Sequence, residues 1–210
     1  MNDIIKSMNW RYATKTFDPK KSVSKEDLMT ILESARLTAS SFGTEPWHFL
    51  VVEHPDTRIK LRTISYDQTK ITDAAYVIVI AARTDVRESI TNELITRAAK
   101  TQNVSEEDLA GWRGMVEGFM MGKTDGELLS WARSQTYLPL GTMLVTTALL
   151  GIDSCPMEGF DAAQVDELLG LKEKHLTVTT MLAIGYRGND EAAKRAKVRR
   201  SFDDVVTFVK

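Results

Sequence analysis

Four cationic side chains lie in pairs near opposite ends of the chain. Arg11 and Lys15 belong to "WRYATKTFD", and Lys197 and Arg199 belong to "KVRR". In extended backbone, residues an even number of positions apart lie on the same side. Guanidinium groups donate paired hydrogen bonds that suit a phosphate. The four cations could therefore converge on one dianion, although spacing alone favours two solvated surface patches.

Two polar segments in the first half of the chain could also contact a ligand. Ser40 and Ser41, in "TASSFGTEPW", place hydroxyl and backbone groups on a loop of small residues. Asp67 and Lys70, in "YDQTKITDA", stand just before a predicted strand. Taken alone, the first segment is explained as a helix-to-strand connection. The second is explained equally well as a helix end or an ion pair.

The stretch "CPMEGF", Cys155 to Phe160, follows the most apolar run of the chain and precedes a predicted helix. Proline and glycine here predict a tight turn that exposes main-chain N–H groups. Those groups could face a ligand, but taken alone the stretch is better explained as a helix C-cap followed by a surface glutamate.

Composition and motifs exclude several classes of protein and site. The net charge of −2 and pI of about 6.0 provide no basic field for nucleic acid or an anionic membrane. No G-x-G-x-x-G follows a predicted strand and no P-loop occurs, so side chains must hold any phosphate. The three histidines have no metal-ligand spacing. The absence of a signal peptide and a membrane-length apolar run, with the single Cys155, predicts a cytoplasmic protein.

Hydrophobic patterning predicts a mixture of helices and strands. Ser24 is an expected N-cap for a helix whose apolar positions form one stripe. The runs "WHFLVVE", "YVIVIAA" and "HLTVTTMLAIG" predict strands. Residues 86–122 predict two surface-lying helices, the second starting near Ser105. Because no regular strand–helix–strand rhythm occurs, we expect one α+β domain over residues 1–210, with 86–122 as a helical excursion.

The sequence predicts one long helix from Thr124, or two abutting helices. Pro139 is expected to kink or divide it. Its second half, "LGTMLVTTALLG", carries no charge on any face. A helix that is apolar all round must be buried on all sides. We therefore expect a central helix, one that a second subunit could share.

The segments "RYATKTFD", "TASSFGTEPWHFLVV", "YDQTKITDA", "GIDSCPMEGFD", "AIGYRG" and "KVRR" together resemble the flavin-dependent nitroreductase family. Each segment is weak alone, but their order across nearly the whole chain is specific, above all "PMEGFD" with "EPWHF". The resemblance implies an α+β fold with a central antiparallel or mixed sheet flanked by helices. It also implies a long buried helix at a homodimer interface, where two FMN molecules bind.

The same resemblance implies roles for particular residues. Arg11, Lys197 and Arg199 match phosphate contacts, while Lys15 and Lys70 match cations near the flavin N1/O2 edge. A backbone N–H of Glu158 or Gly159 would bond to N5. The full set of implied cofactor-binding residues is Arg11, Tyr12, Ala13, Lys15, Ala39, Ser40, Ser41, Asp67, Lys70, Pro156, Met157, Glu158, Gly159, Lys197 and Arg199. No catalytic side chain and no metal is implied.

Two residues depart from the family pattern. Many relatives have serine where Ala13 stands, so one hydroxyl contact to the phosphate is missing here. Some have asparagine where Asp67 stands, and a carboxylate accepts but does not donate unless protonated. Asp67 would then accept from N3–H or pair with Lys70.

The function implied is that of an NAD(P)H-dependent FMN oxidoreductase acting by a ping-pong cycle on nitroaromatics or quinones. A specialised FMN reductase or enone reductase on the same scaffold is the first alternative. A flavin-binding sensor or storage protein without catalysis is the second. Phe119 lies in the region that covers the partner's active site in the family, so it serves either core packing or a substrate lid.

Overall fold

The computed structural model describes residues 2–210, which form an α+β structure around one antiparallel sheet. The sheet has four strands in the order β1-β2-β4-β3. The strand bounds are β1 Trp47–Val52, β2 Tyr76–Arg83, β3 Asp153–Met157 and β4 Leu176–Gly185. The three strands expected from apolar runs are therefore present. All neighbouring strands pair antiparallel, so the sheet is antiparallel rather than mixed.

Eight α-helices surround the sheet within residues 2–210. Their bounds are α1 Asp3–Trp10, α2 Lys25–Arg36, α3 Pro55–Thr63, α4 Lys70–Asp73, α5 Val86–Gln102, α6 Ala110–Met121, α7 Asp125–Leu149 and α8 Ala162–Leu168. Ser24 caps α2 as expected, because its hydroxyl accepts from the N–H of Asp27 at 3.0 Å. Ser105 likewise accepts from the N–H of Asp108 in the turn that leads into α6.

The central strands are covered by apolar side chains on both faces. Val77, Val79 and Ala81 of β2 pack into one core cluster, whereas Ile78 and Ile80 pack into a second with side chains of α2 and α7. Successive residues of a strand point to opposite faces, so both faces of β2 are buried. This double burial explains why "YVIVIAA" has no polar alternation.

Helix α7 is one continuous helix of 25 residues, and Pro139 does not divide it. Thr124 and Glu127 form a capping box at its start. The expectation that its second half is buried on all sides is wrong for a single chain. Leu149 is 51% exposed and Leu150 is 39% exposed, because no element within residues 2–210 covers that side of the helix end.

The prediction of a turn over the whole stretch Cys155 to Phe160 is also wrong. Asp153–Met157 is strand β3, which pairs with β4 at the edge of the sheet. Pro156 is tolerated because proline within a sheet is accommodated at an edge strand. The chain leaves the sheet only after Met157, so the bend begins at Glu158.

Gly185→Ala is expected to destabilise the fold by about 1–3 kcal/mol, because an added methyl overpacks this site. A Cβ there would lie 2.9 Å from a ring carbon of Phe17 and 3.1 Å from the backbone nitrogen of Ala75. Urea unfolding measures the change. Gly114→Ala is the control: it lies in α6 with open space around it, so we expect about 0.5–1 kcal/mol of stabilisation. Equal effects of the two substitutions would contradict this packing.

Candidate functional site

The two ends of the chain meet at one cavity of about 440 Å³. Its lining combines residues from the N-terminal segment, the C-terminal segment and β3. Among them are Arg11, Tyr12, Ala13, Pro156, Lys197 and Arg199. The cavity thus brings together six of the predicted site residues, which lie between positions 11 and 199 of the chain. We call this space the cation cavity.

The cation cavity concentrates positive charge. Burial and, to a smaller extent, the nearby charge of Arg199 lower the pKa of Arg11. Burial and the charges of Arg11 and Arg199 lower the pKa of Lys197. Within residues 2–210, none of these three side chains has a carboxylate oxygen within 4.0 Å. The Nε of Arg11 is buried without a hydrogen-bond partner in that same part of the chain. An uncompensated cluster of this kind fits a dianion such as a phosphate.

Lys197 also ties the C-terminal segment to the end of α1. Its ammonium donates to the carbonyl oxygens of Met8 and Arg11. A cation at a helix C-terminus compensates the unpaired carbonyl groups there. Lys197 therefore has a structural role beside any role in binding an anion.

Asp190 is the main connection between the two terminal segments, and no motif in the sequence singles it out. One carboxylate oxygen accepts from the Tyr12 hydroxyl at 2.9 Å and from the Lys15 N–H at 2.7 Å. The other accepts from the Ala192 N–H at 2.9 Å. Burial opposes ionisation of Asp190, but these hydrogen bonds outweigh it and lower its pKa. Burial and the bond to Asp190 raise the pKa of Tyr12 to about 12.

Arg187 and Asp153 form a second connection. The guanidinium of Arg187 lies 4.4 Å from the Trp10 ring centroid and 4.7 Å from that of Tyr12. Its Nε donates to the buried Asp153 carboxylate at 2.7 Å. These contacts hold the Trp10–Tyr12 segment against the start of β3. Both residues lie in segments that resemble the family, "AIGYRG" and "GIDSCPMEGFD", but no spacing in the sequence pairs them.

The predicted cation Lys70 lies beside strand β3. Its Nζ is 3.7 Å from Sγ of Cys155, the residue before the cavity-lining Pro156, but Lys70 itself does not line the cation cavity. Arg58 fixes α4, at whose start Lys70 stands, by donating to the carbonyl oxygens of Ile71 and Ala74. Lys15 is exposed, and its backbone N–H is the group bound to Asp190.

The suggested Asp67–Lys70 pair does not form. Asp67 instead accepts from Arg62 Nε at 2.6 Å, and this bond lowers the pKa of the carboxyl group. Asp67 has a φ of 54°, in the left-handed region, so the backbone turns its side chain back toward α3. The charge of Lys70 is therefore left for another partner.

The bend after β3 presents main-chain donors. Neither Glu158 nor Gly159 donates its backbone N–H to a carbonyl within residues 2–210. The Gly159 carbonyl accepts from Gln68 at 2.7 Å, and a Cβ on Gly159 would lie 3.2 Å from that amide nitrogen. The segment containing Lys70 is thus packed directly against the bend. Pro156 and Met157 precede it within β3.

The loop Ala39–Ser41 does not line the cation cavity in the single chain. The Ser41 N–H donates to Gln135 on α7 at 2.9 Å, and the Ser40 hydroxyl accepts from the Glu45 N–H at 2.9 Å. Phe42 follows with a φ of 58°, a left-handed conformation that is costly for a bulky residue. The loop is therefore held in a defined conformation on α7.

Phe119 is packed within its own chain. Its ring centroid lies 5.2 Å from that of Phe42 and 5.4 Å from that of Trp131. Lys123 lies 4.9 Å from the same centroid. This aromatic cluster joins α6 to the loop that carries Ser40 and Ser41, which favours the core-packing interpretation of Phe119.

No cluster of three or more potential metal ligands occurs in residues 2–210. In the same residues, every helix is too short or too polar to cross a bilayer.

Comparison with known proteins gives one consistent result. The profile of the Nitroreductase family matches residues 8–186. A protein of Staphylococcus haemolyticus, provisionally named an NAD(P)H nitroreductase, is 38% identical, with 98% of this chain and 97% of the relative covered. A Staphylococcus epidermidis protein with the same provisional name is 37% identical, with 98% and 96% covered.

Solved structures share the fold at lower identity. A nitroreductase-like protein from Streptococcus mutans has a TM-score of 0.87 at 18% identity, with 100% of both chains covered. A provisionally named nitroreductase from Exiguobacterium sibiricum, solved in complex with FMN, has a TM-score of 0.85 at 20% identity. That comparison covers 100% of this chain and 98% of the other.

Asp190→Asn is expected to destabilise the protein by about 1.5–3 kcal/mol at neutral pH, since charge-assisted hydrogen bonds are lost. The pKa of Asp190 is lower in the folded state, so its stabilisation is complete above the unfolded pKa of about 4 and is lost as pH falls through the folded pKa. Urea unfolding at several pH values measures the difference between variant and wild type. A difference that grows on acidification would contradict the assignment.

Proposed function

Because the chain belongs to the nitroreductase family, we propose that it is an NAD(P)H-dependent oxidoreductase whose cofactor is FMN. The observation that carries this proposal is the cation cavity. Arg11, Lys197 and Arg199 come from distant parts of the sequence and have no carboxylate partner within residues 2–210. A terminal phosphate would supply the two negative charges that this cluster lacks.

The residues around the cation cavity suit the rest of FMN. Lys70 lies beside Cys155, the residue before the cavity-lining Pro156, and its charge would stabilise electron density on the N1/O2 edge, where Lys15 would also act. The free N–H groups of Glu158 and Gly159 would donate to N5. Asp67, which pairs with Arg62, would meet the pyrimidine edge only as an acceptor.

The bound cofactor supplies the hydride chemistry, so NAD(P)H and an electron-poor acceptor would use one site in turn, which is a ping-pong cycle. Nitroaromatics and quinones are the acceptors that we propose. The protein's part is to hold both reactants against the ring and to fix the charge around it. This role requires no nucleophilic side chain.

We further propose that the active species is a homodimer. Exposed apolar side chains are concentrated on α1, on α7 and in the C-terminal tail: Ile4, Ile5, Met8, Leu138, Leu149, Leu150, Phe202, Val205, Phe208 and Val209. An exposed apolar surface of this extent is typical of an interaction site. A shared site would also explain why Ala39, Ser40 and Ser41 lie away from the cation cavity of their own chain.

An enone acceptor is the specific alternative. A gut-bacterial fatty-acid enone reductase has a TM-score of 0.82 to this chain at 20% identity. The fold is therefore compatible with carbon–carbon double-bond reduction as well as nitro-group reduction. Only the groups that face the acceptor distinguish these reactions.

The double variant Lys197→Ala/Arg199→Ala is expected to lose FMN. Each cation contributes charge-assisted bonds of about 1.5–3 kcal/mol, so affinity falls about tenfold to hundredfold per residue. Flavin absorbance per protein after gel filtration measures retention. Arg200→Ala is the matched control, because Arg200 is exposed and outside the cavity. Full retention in the double variant would contradict the phosphate assignment.

Anaerobic addition of NADH or NADPH is expected to bleach the flavin absorbance, and a subsequent nitroarene or quinone should restore it. Steady-state rates with a nitroarene, a quinone, an enone and free flavin then identify the acceptor class. Parallel lines in double-reciprocal plots are expected for the ping-pong cycle. No bleaching by either nucleotide would exclude the proposed enzyme and favour a flavin-binding sensor.

A further inference from the structure

Lys70 is a half-buried cation with acidic residues close to it in sequence but none paired with it in space. It is the first residue of α4, and no carboxylate oxygen of the described chain lies within 4.0 Å of its Nζ. Asp73, on the same helix, stands three residues after it, a spacing at which ion pairs form. Asp73 instead accepts from the Thr72 hydroxyl at 3.0 Å, and Asp67 binds Arg62. The fold therefore leaves the charge of Lys70 unneutralised.

A thiol holds the ammonium end of Lys70. The only hydrogen-bond acceptor that Lys70 Nζ reaches in the described part of the chain is Cys155 Sγ, at 3.7 Å. Cys155 is buried in β3, and its thiol donates to the Pro156 carbonyl at 3.6 Å. With the thiol proton directed there, the sulfur is left to accept from the ammonium. An uncharged thiol orients an ammonium group without cancelling its charge, whereas a carboxylate in this place would cancel it.

Arg58 holds the backbone that carries Lys70. Helix α4 has four residues, too few for a helix to be stable by itself. The guanidinium of Arg58 donates to the carbonyl oxygen of Ile71 at 2.7 Å and to those of Ala74 and Ala75. It thus supplies donors for carbonyl groups that the end of a short helix leaves unpaired. Lys70 is therefore fixed through its side chain by β3 and through its helix by α3.

The position of a charge matters because Coulomb energy falls with distance. At an effective dielectric constant of about 20, moving an ammonium from about 4 Å to about 5 Å from an anion changes an equilibrium constant about fourfold. A long lysine side chain has many rotamers, so contacts at both ends are needed to restrict it to one place. Cys155 and Arg58 provide such contacts.

We propose that Cys155 and Arg58 are positioning residues for Lys70, and that they hold its charge where the reduced cofactor becomes anionic. The link to the cofactor rests on the proposed function, in which Lys70 faces the N1/O2 edge of FMN. Both residues act through Lys70 rather than on the reacting atoms. A fixed and unneutralised cation favours the reduced ring, so their effect is on the midpoint potential of the bound flavin.

The test is a double-mutant cycle on that potential, measured by titrating the flavin-loaded full chain with dithionite against reference dyes. Lys70→Met removes the charge, so the preference for reduced over oxidised flavin should fall about tenfold or more, which is about 30 mV in the negative direction. Cys155→Ala and Arg58→Lys should each lower this preference about fourfold. Each effect should vanish in the Lys70→Met background. Cys155→Ser, which keeps an acceptor, should restore the wild-type potential.

Arg36→Lys is the matched control for Arg58→Lys. The Arg36 guanidinium bonds to Glu33 on the surface of α2, so this variant should leave the potential unchanged. Two results would overturn the proposal. An unchanged potential in Cys155→Ala and Arg58→Lys would show that neither contact matters. A shift that persists in the Lys70→Met background would show general repacking instead of positioning of the charge.

A crystal structure of Cys155→Ala beside that of the wild type gives a readout that needs no flavin. Lys70 Nζ is expected to leave its wild-type position, and an unchanged position would contradict the role of Cys155. The outcome is separable from that of the proposed function. If NAD(P)H does not bleach the flavin, the proposed function fails, and the dithionite titration still decides the positioning proposal. If bleaching is normal while the variants keep the wild-type potential, only the positioning proposal fails.

Discussion

Three like charges held close together constrain this structure more than any other feature. Arg11, Lys197 and Arg199 repel one another, and the partial burial of Arg11 and Lys197 adds a desolvation cost. Because none of the three has a carboxylate oxygen within 4.0 Å among residues 2–210, other contacts must hold them in place. Asp190 does this with four accepted hydrogen bonds, and Lys197 contributes through the carbonyl groups at the end of α1. The fold thus maintains an electrostatic cost that an anionic cofactor would relieve.

The sheet supplies the rigid support for this arrangement. β3 is an edge strand, so its outer side is free to receive the N-terminal segment, whose Thr14 N–H donates to the Ser154 carbonyl at 3.3 Å. The same strand carries Cys155 beside Lys70 and ends at Glu158. One short strand therefore connects the cation cavity, the proposed N1/O2 cation and the bend with free N–H groups.

Some of the predictions made from local pattern are confirmed, and others are not. The strands of β1, β2 and β4 followed from apolar runs, and the Ser24 cap followed from the chemistry of a helix N-terminus. β3 was missed because "DSCPM" contains a proline and no β-branched residue. The length of α7 was left open, since a proline within a helix can kink it or be tolerated, depending on packing.

Most element types, the α+β class and, through the ordered motifs, the family and a candidate set of cofactor-binding residues can be predicted from the sequence. Which side chains meet depends on tertiary packing. Asp190 near Tyr12, Lys70 near Cys155 and Arg187 near Asp153 are contacts that no spacing in the sequence specifies. Helical and strand periodicity act over a few residues, whereas these contacts depend on packing between segments far apart in the chain.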